Sequence, residues 1–126
     1  MYRSAVILFF IFCISLVTSA GNIHISAFSA KPGKGAVILE WTIASGSTCN
    51  GTKIYRSVDT VTWVEVGLIG GVCGSSESEV SYSFIDDDPP LNQTVYYRLD
   101  LFQLGWSDVV SIDNFETGTK GYQVID

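Results

Sequence analysis

The stretch VYYRLDL, residues 95–101, decides the fold class of this chain because its apolar and polar side chains alternate. One set is Val95, Tyr97, Leu99 and Leu101, and the set between them is Tyr96, Arg98 and Asp100. Successive side chains of an extended chain point to opposite faces, so a period of two indicates a strand with one buried face. The stretch therefore predicts a β-strand that places Tyr97 in the core.

Six further short segments have the same character, rich in β-branched and aromatic residues and separated by Gly, Pro, Ser, Asn and Asp. They are residues 23–29, 36–41, 53–57, 62–69, 80–85 and 107–112. Such spacing is typical of an all-β domain. We predict a seven-stranded antiparallel β-sandwich, fibronectin type III/immunoglobulin-like, with Greek-key connections.

Three aromatic residues have predicted places in this sandwich. Trp41 and Tyr97 are the largest predicted core residues, and Trp63 is assigned to the core because it opens an alternating segment. Tyr97 has a second interpretation, in which its hydroxyl folds back onto upstream backbone near Leu91 as a tyrosine corner. A plain core aromatic is the alternative.

The N-terminus has the pattern of a secretory signal peptide. Arg3 precedes an apolar run over residues 5–17, and small residues lead to a predicted cleavage after Ala20. The run is short for a membrane anchor, and the bulky residues before Cys13 argue against a lipoprotein. We predict a signal peptide (1–20), a sandwich (21–113) and a C-terminal tail (114–126). The mature chain is predicted to be secreted or at the cell surface, with no membrane span after cleavage.

The charge balance limits the class of partner. Seven Lys and Arg face thirteen Asp and Glu, for a formal net charge of −6. Because nucleic-acid binding requires a basic footprint, this balance argues against nucleic acid as a partner. It also argues against docking on anionic lipid.

The two cysteines beyond the leader, Cys49 and Cys73, lie in Gly- and Ser-rich loops. In an oxidising compartment such a pair forms a disulfide by default. Closing a loop of this length would stabilise the fold by roughly 3–4 kcal/mol in the chain-entropy model. A catalytic thiolate needs a base, and His24 is the only histidine; a zinc site needs more ligands than these. Free or intermolecular thiols are the alternative.

Motifs for catalysis are absent from the sequence. It contains no phosphate-binding loop and no nucleophile elbow. The acidic run over residues 86–90 is interpreted as a turn, with a calcium site as the alternative. We therefore predict no enzyme activity, no cofactor and no metal. Trp106 and Phe102 are a possible binding surface near the last hairpin, although the favoured interpretation is that Trp106 folds back over the end of the sandwich.

Five segments together carry a family resemblance: residues 37–45, 54–59, 63–71, 82–89 and 95–112. In this order they resemble fibronectin type III-like domains of Bacteroidetes extracellular proteins, often found ahead of type IX secretion sorting domains. The resemblance implies an extracellular sandwich used for binding, adhesion or spacing. It favours an accessory subunit at a bacterial cell surface, whose partner is an envelope protein or an extracellular polysaccharide. The alternative is a small carbohydrate-binding domain that uses Trp106.

Two further expectations follow from the resemblance. Only fourteen residues follow Ile112, too few for a sorting domain, so the export route stays open. Asp59-Thr60-Val61 resembles a short acceptor motif for O-glycans in Bacteroidetes, which makes Thr60 a possible O-glycosylation site. A plain turn is the alternative for this segment.

Overall fold

A computed structural model describes residues 22–115, and this part of the chain is all-β and contains no helix. The prediction of an all-β fold is confirmed for these residues. The ten strands within residues 22–115 are β1 (Ile25–Pro32), β2 (Val37–Ile43), β3 (Ser47–Cys49), β4 (Thr52–Ser57), β5 (Val64–Ile69), β6 (Cys73–Ser75), β7 (Val80–Asp86), β8 (Gln93–Leu101), β9 (Gly105–Trp106) and β10 (Val110–Asn114).

The strands form three antiparallel sheets. One sheet has the order β1-β2-β7 and a second has the order β10-β8-β4-β5, with β9 paired to one end of β8. The third is the short pair β3-β6. Each predicted strand segment overlaps one of the longer strands. The predicted count of seven is too low, because β3, β6 and β9 span only two or three residues each and show no periodicity.

The core lies where the alternating faces of β2, β4 and β8 are buried. Every apolar side chain in it is 2% exposed or less. The cluster consists of Val37, Leu39, Trp41, Ile43, Cys49, Ile54, Cys73, Val95, Tyr97, Leu99 and Leu101. Trp41 is stacked on Tyr82, with ring centres 6.0 Å apart, and meets the edge of Phe28. The inward face of residues 95–101 is therefore the one that the sequence predicts.

The predicted disulfide joins the two short strands at one end of this core. Cys49 and Cys73 are directly opposite each other in the β3-β6 register, with Cα atoms 5.0 Å apart. Both residues are buried, so the bond is shielded from solvent. The neighbouring Gly74 has a φ of +78°, and a Cβ there would collide with the Ser47 carbonyl. A glycine is thus required for the two strands to approach.

A buried ionic group links the two larger sheets. The Tyr97 hydroxyl on β8 donates a 2.6 Å hydrogen bond to Asp86 Oδ2 on β7. Arg56 on β4 donates to the same carboxylate at 2.9 and 3.0 Å. The tyrosine-corner interpretation is wrong, because the hydroxyl donates to this carboxylate instead of to upstream backbone. Burial, followed by the Asp86 hydrogen bond, raises the pKa of Tyr97 well above its ordinary value.

Candidate binding face

The outward side of the sheet that contains β4 and β8 carries the candidate site. Tyr55 on β4 lies opposite Arg98 on β8, and Lys53 lies opposite Asp100. These side chains point away from the core because their strand neighbours Ile54 and Leu99 point into it. Trp63, Phe102 and Trp106 add to this surface from flanking segments, and we call the set of Lys53, Tyr55, Trp63, Arg98, Phe102 and Trp106 the aromatic face.

Trp106 lies on this face and not over the end of the fold. Its strand β9 pairs with Asp100 and Leu101 of β8, and the side chain is 46% exposed. The indole ring meets the ring of Tyr55 edge-on, with centres 5.3 Å apart. Arg98 Cζ lies over the same indole, 4.0 Å from its centre. The ring is therefore held in place by two neighbours while much of it stays open to solvent.

Trp63 is also on this face, so its assignment to the core is wrong. Its ring lies over Arg98 Cζ at 4.3 Å, and its Nε1 donates to the Thr60 carbonyl oxygen at 3.2 Å. The cause is an irregularity in the pairing of β4 with β5, where the register skips Val66. Because a β-bulge reverses the alternation, Trp63 shares the outward side while Gly67, beyond the bulge, faces Phe84.

Phe102 extends the face beyond Tyr55. It lies in the turn after β8 and is 37% exposed. Lys53 Nζ lies 5.4 Å from its ring centre and 3.4 Å from a carboxylate oxygen of Glu65. Phe102 and Trp106 thus pack on Lys53 and Tyr55, which are neighbours on one side of β4. The two predicted binding residues occupy one surface.

Arg98 is a candidate binding residue that the sequence analysis did not select. The alternation of residues 95–101 places Arg98 on the outward side. A single arginine on the exposed face of a strand is usually just a solvated surface residue, so the sequence gives no reason to select it. In the structure its guanidinium is the point on which both Trp63 and Trp106 converge. The bulge that brings Trp63 to it has no signature in the sequence, so the cluster could not be recognised there.

The predicted glycosylation residue, Thr60, lies at the tip of an exposed turn between β4 and β5. It has a φ of +63°, and its hydroxyl donates to the Asp59 carbonyl oxygen at 2.6 Å. Hydrogen bonds from the Thr62 and Val61 backbone amides, and then from the Ser57 hydroxyl, lower the pKa of Asp59. The turn is thus fixed by its own polar groups, and modification of Thr60 stays a prediction.

Two residues with metal-binding or catalytic potential, Asp86 and His24, make side-chain hydrogen bonds within the fold. Residues 22–115 contain no group of three His, Cys, Asp or Glu side chains placed to hold a metal. Asp86, the first residue of the acidic run, accepts a hydrogen bond from Tyr97 and forms an ion pair with Arg56. His24 Nδ1 lies 2.6 Å from the hydroxyl oxygen of Ser47, and Ser47 is a largely buried residue. No helix that could cross a membrane occurs between residues 22 and 115.

Comparison with known proteins yields structural likeness only. No family model matches the chain, and no curated protein matches it. Among solved structures, a β-1,2-glucanase from Parabacteroides distasonis is 16% identical over 81% of this chain, with a TM-score of 0.45. The chain spans 15% of that enzyme's length.

The sensor domain of an anti-sigma factor from Pseudobacteroides cellulosolvens is similar to the same degree. A short form is 12% identical, with a TM-score of 0.45 over 73% of this chain and 95% of that one. Its solution structure is 12% identical, with a TM-score of 0.47 over 71% of this chain and 74% of that one.

Proposed function

We propose that this protein is a non-catalytic, extracytoplasmic binding module that holds its partner on the aromatic face. The observation that carries the proposal is the half-exposed indole of Trp106, fixed between Arg98 and Tyr55. Tryptophan, tyrosine and arginine dominate the energetics of protein interfaces, and a fixed aromatic ring is also a platform for a sugar. An exposed ring that its neighbours already hold in place loses little side-chain entropy when a partner binds.

The fold type that we propose is a fibronectin type III-like sandwich. In its support, three strands (β1-β2-β7) face four (β10-β8-β4-β5), and side chains of both sheets fill one core. The buried Cys49–Cys73 disulfide is consistent with life outside the cytoplasm, where disulfides persist. Export through the N-terminal leader is part of the proposal, and the leader itself lies outside the described residues.

The main candidate for the partner is a component of the bacterial cell envelope, with the chain as an accessory subunit. An extracellular polysaccharide is the second candidate. It is favoured by the polar groups beside Trp106: Asp100 pairs with Trp106 across β8 and β9, and Glu65 lies beside Lys53. Carboxylates and amines next to an exposed ring suit the hydroxyl groups of a sugar.

The test compares Trp106→Ala with Val109→Ala. The side chain of Val109 is as exposed as that of Trp106 but lies outside the aromatic face. Retention of each folded variant on insoluble glycans and on isolated envelope material is measured against the unchanged chain. We expect Trp106→Ala to weaken retention by about 2 kcal/mol, roughly 30-fold, as for an interface hot spot. Equal retention of both variants on every material that retains the unchanged chain would contradict the proposal. Hydrolase activity of the purified chain would contradict its non-catalytic part.

A further inference from the structure

Among the residues that the structure describes, Arg98 differs from the other cations of the sheets in having no carboxylate partner. Lys31, Lys53 and Arg56 form ion pairs with Glu40, Glu65 and Asp86. Between residues 22 and 115, the Arg98 guanidinium makes no hydrogen bond and no ion pair. This is unexpected in a chain with thirteen acidic residues, one of which, Asp100, lies two positions away on the same face.

The surroundings of Arg98 restrict how an anion could reach it. The rings of Trp63 and Trp106 lie over its guanidinium, and its Nε is buried with no hydrogen-bond partner in the described part of the chain. The donors left for a ligand are therefore the two terminal nitrogens. The cation–π contacts with the two indoles offset part of the desolvation of such a charge but supply no acceptor for its N–H groups.

We propose that Arg98 binds a carboxylate of an acidic glycan, a polymer that contains uronic acid, while the sugar ring lies against Trp106. The planar guanidinium matches a carboxylate in two parallel hydrogen bonds, and indole rings packed on it hold that fork in a fixed orientation. This proposal rests on the proposed function and names the chemical class of its ligand.

The polar residues at the border of the aromatic face suit a glycan better than an acidic peptide. Asp100 and Glu65 lie beside the aromatic rings and can accept hydrogen bonds from sugar hydroxyl groups. An acidic peptide would bring further carboxylates against these two and offer only backbone N–H donors. The net charge of −6 repels acidic glycans and acidic peptides alike, so we expect Arg98 to recognise one carboxylate at a time.

The polarity of the indole supports an acid over a neutral sugar. The face of an aromatic ring is the negative side of its quadrupole, and this negative face is what attracts a cation or a polarised C–H group. In Trp106 one such face is already engaged by the Arg98 charge. A neutral sugar on the exposed part of the ring gains nothing from this charge, whereas the carboxylate of a uronic acid is attracted by it.

The test is electrophoretic retardation of the full folded chain in gels containing one polymer each. The polymers are polygalacturonate, its fully methyl-esterified form and polyglutamate; the ester keeps the sugar rings and removes the charge. We expect retardation by polygalacturonate alone. Arg98→Gln should weaken it about tenfold or more, the effect expected for loss of a charged hydrogen-bond pair. The retardation of Arg98→Lys should lie between that of the unchanged chain and that of Arg98→Gln, because lysine keeps the charge but cannot form two parallel hydrogen bonds.

Lys34→Gln is the matched control, since Lys34 is an exposed cation in the turn between β1 and β2. Thermal melts establish that each variant is folded. Equal retardation by the methyl ester, or unchanged binding of Arg98→Gln, overturns the proposal. Arg98-dependent retardation by polyglutamate alone overturns the glycan class. If no polymer retards the chain while Trp106→Ala still loses retention on envelope material, this inference fails and the proposed function stands.

Discussion

The hydroxyl of Tyr97 and the carboxylate of Asp86 form a 2.6 Å hydrogen bond between the two larger sheets. Tyr97 is fully buried and Asp86 is 5% exposed, so this hydrogen bond is largely shielded from water. Arg56 neutralises the carboxylate from the β4 side. A buried polar group that loses its partner costs more than the bond itself contributes, so this group ties the sheets in one relative position.

Replacing Tyr97 by Phe should destabilise the fold by about 1–3 kcal/mol, because one acceptor position of Asp86 is left unsatisfied. Urea unfolding of the disulfide-bonded chain measures the change. Tyr96→Phe is the control, since Tyr96 belongs to the outward side of the same strand. Equal stability of the two variants would show that the Tyr97–Asp86 bond has no net effect.

Alkaline pH should selectively weaken the folded state. Burial and the Asp86 bond raise the pKa of Tyr97 in the folded chain, whereas the unfolded value is about 10. Above that pH the unfolded chain releases the Tyr97 proton while the folded chain retains it, so stability falls as pH rises. The loss begins near pH 10, by up to about 1.4 kcal/mol per pH unit from this residue.

Urea unfolding at pH 8 to 11 checks this expectation against Tyr97→Phe, which lacks the ionisable group. The decline should be shallower in the variant. Parallel curves for the two proteins would mean that Tyr97 ionises as readily in the folded chain as in the unfolded one.

The close contact between β5 and β7 should make Gly67 intolerant of a side chain. A Cβ at this position would collide with the ring of Phe84 on the opposite sheet. Gly67→Ala should therefore cost about 1–3 kcal/mol through overpacking. Gly70→Ala is the matched control, because space around that glycine is open. The measurement is the thermal midpoint of each variant, and a Gly67→Ala midpoint at or above that of the control would contradict this close packing of β5 on Phe84.

Reduction of the Cys49–Cys73 disulfide should lower the stability by about 3–4 kcal/mol, since the chain-entropy model assigns that value to a loop of this size. Because both sulfur atoms are buried, reduction should require partial unfolding first. Intact mass with and without reductant, in native buffer and in urea, checks both points. Complete reduction in native buffer at the same rate as in urea would contradict the burial.

The long strands can be predicted from sequence because each has a full period-two signal, as residues 95–101 illustrate. The disulfide can be predicted from the number of cysteines together with the predicted extracytoplasmic compartment. The sequence pattern assigns Trp63 to the core, but the β4–β5 pairing skips one residue, Val66. This skip places Trp63 on the outward side of the sheet. The partner of Tyr97 is hidden for a related reason: Asp86 has the sequence surroundings of an acidic turn, and only the pairing of β2 with β7 brings it inside. The local alternation of apolar and polar residues indicates which side chains share a face of a strand. Which side chains contact each other across strands depends on the pairing register, which the sequence does not show.

The three tryptophans offer the most direct test of the aromatic face as a binding surface. Their indole N–H signals report separately on Trp41 in the core and on Trp63 and Trp106 outside it. Nitrogen–proton spectra are recorded while envelope extract or polygalacturonate is added to the folded chain. The account predicts that the signals of Trp106 and Trp63 shift or broaden while that of Trp41 stays in place. Binding that leaves Trp106 and Trp63 unchanged and perturbs other surface residues would contradict it.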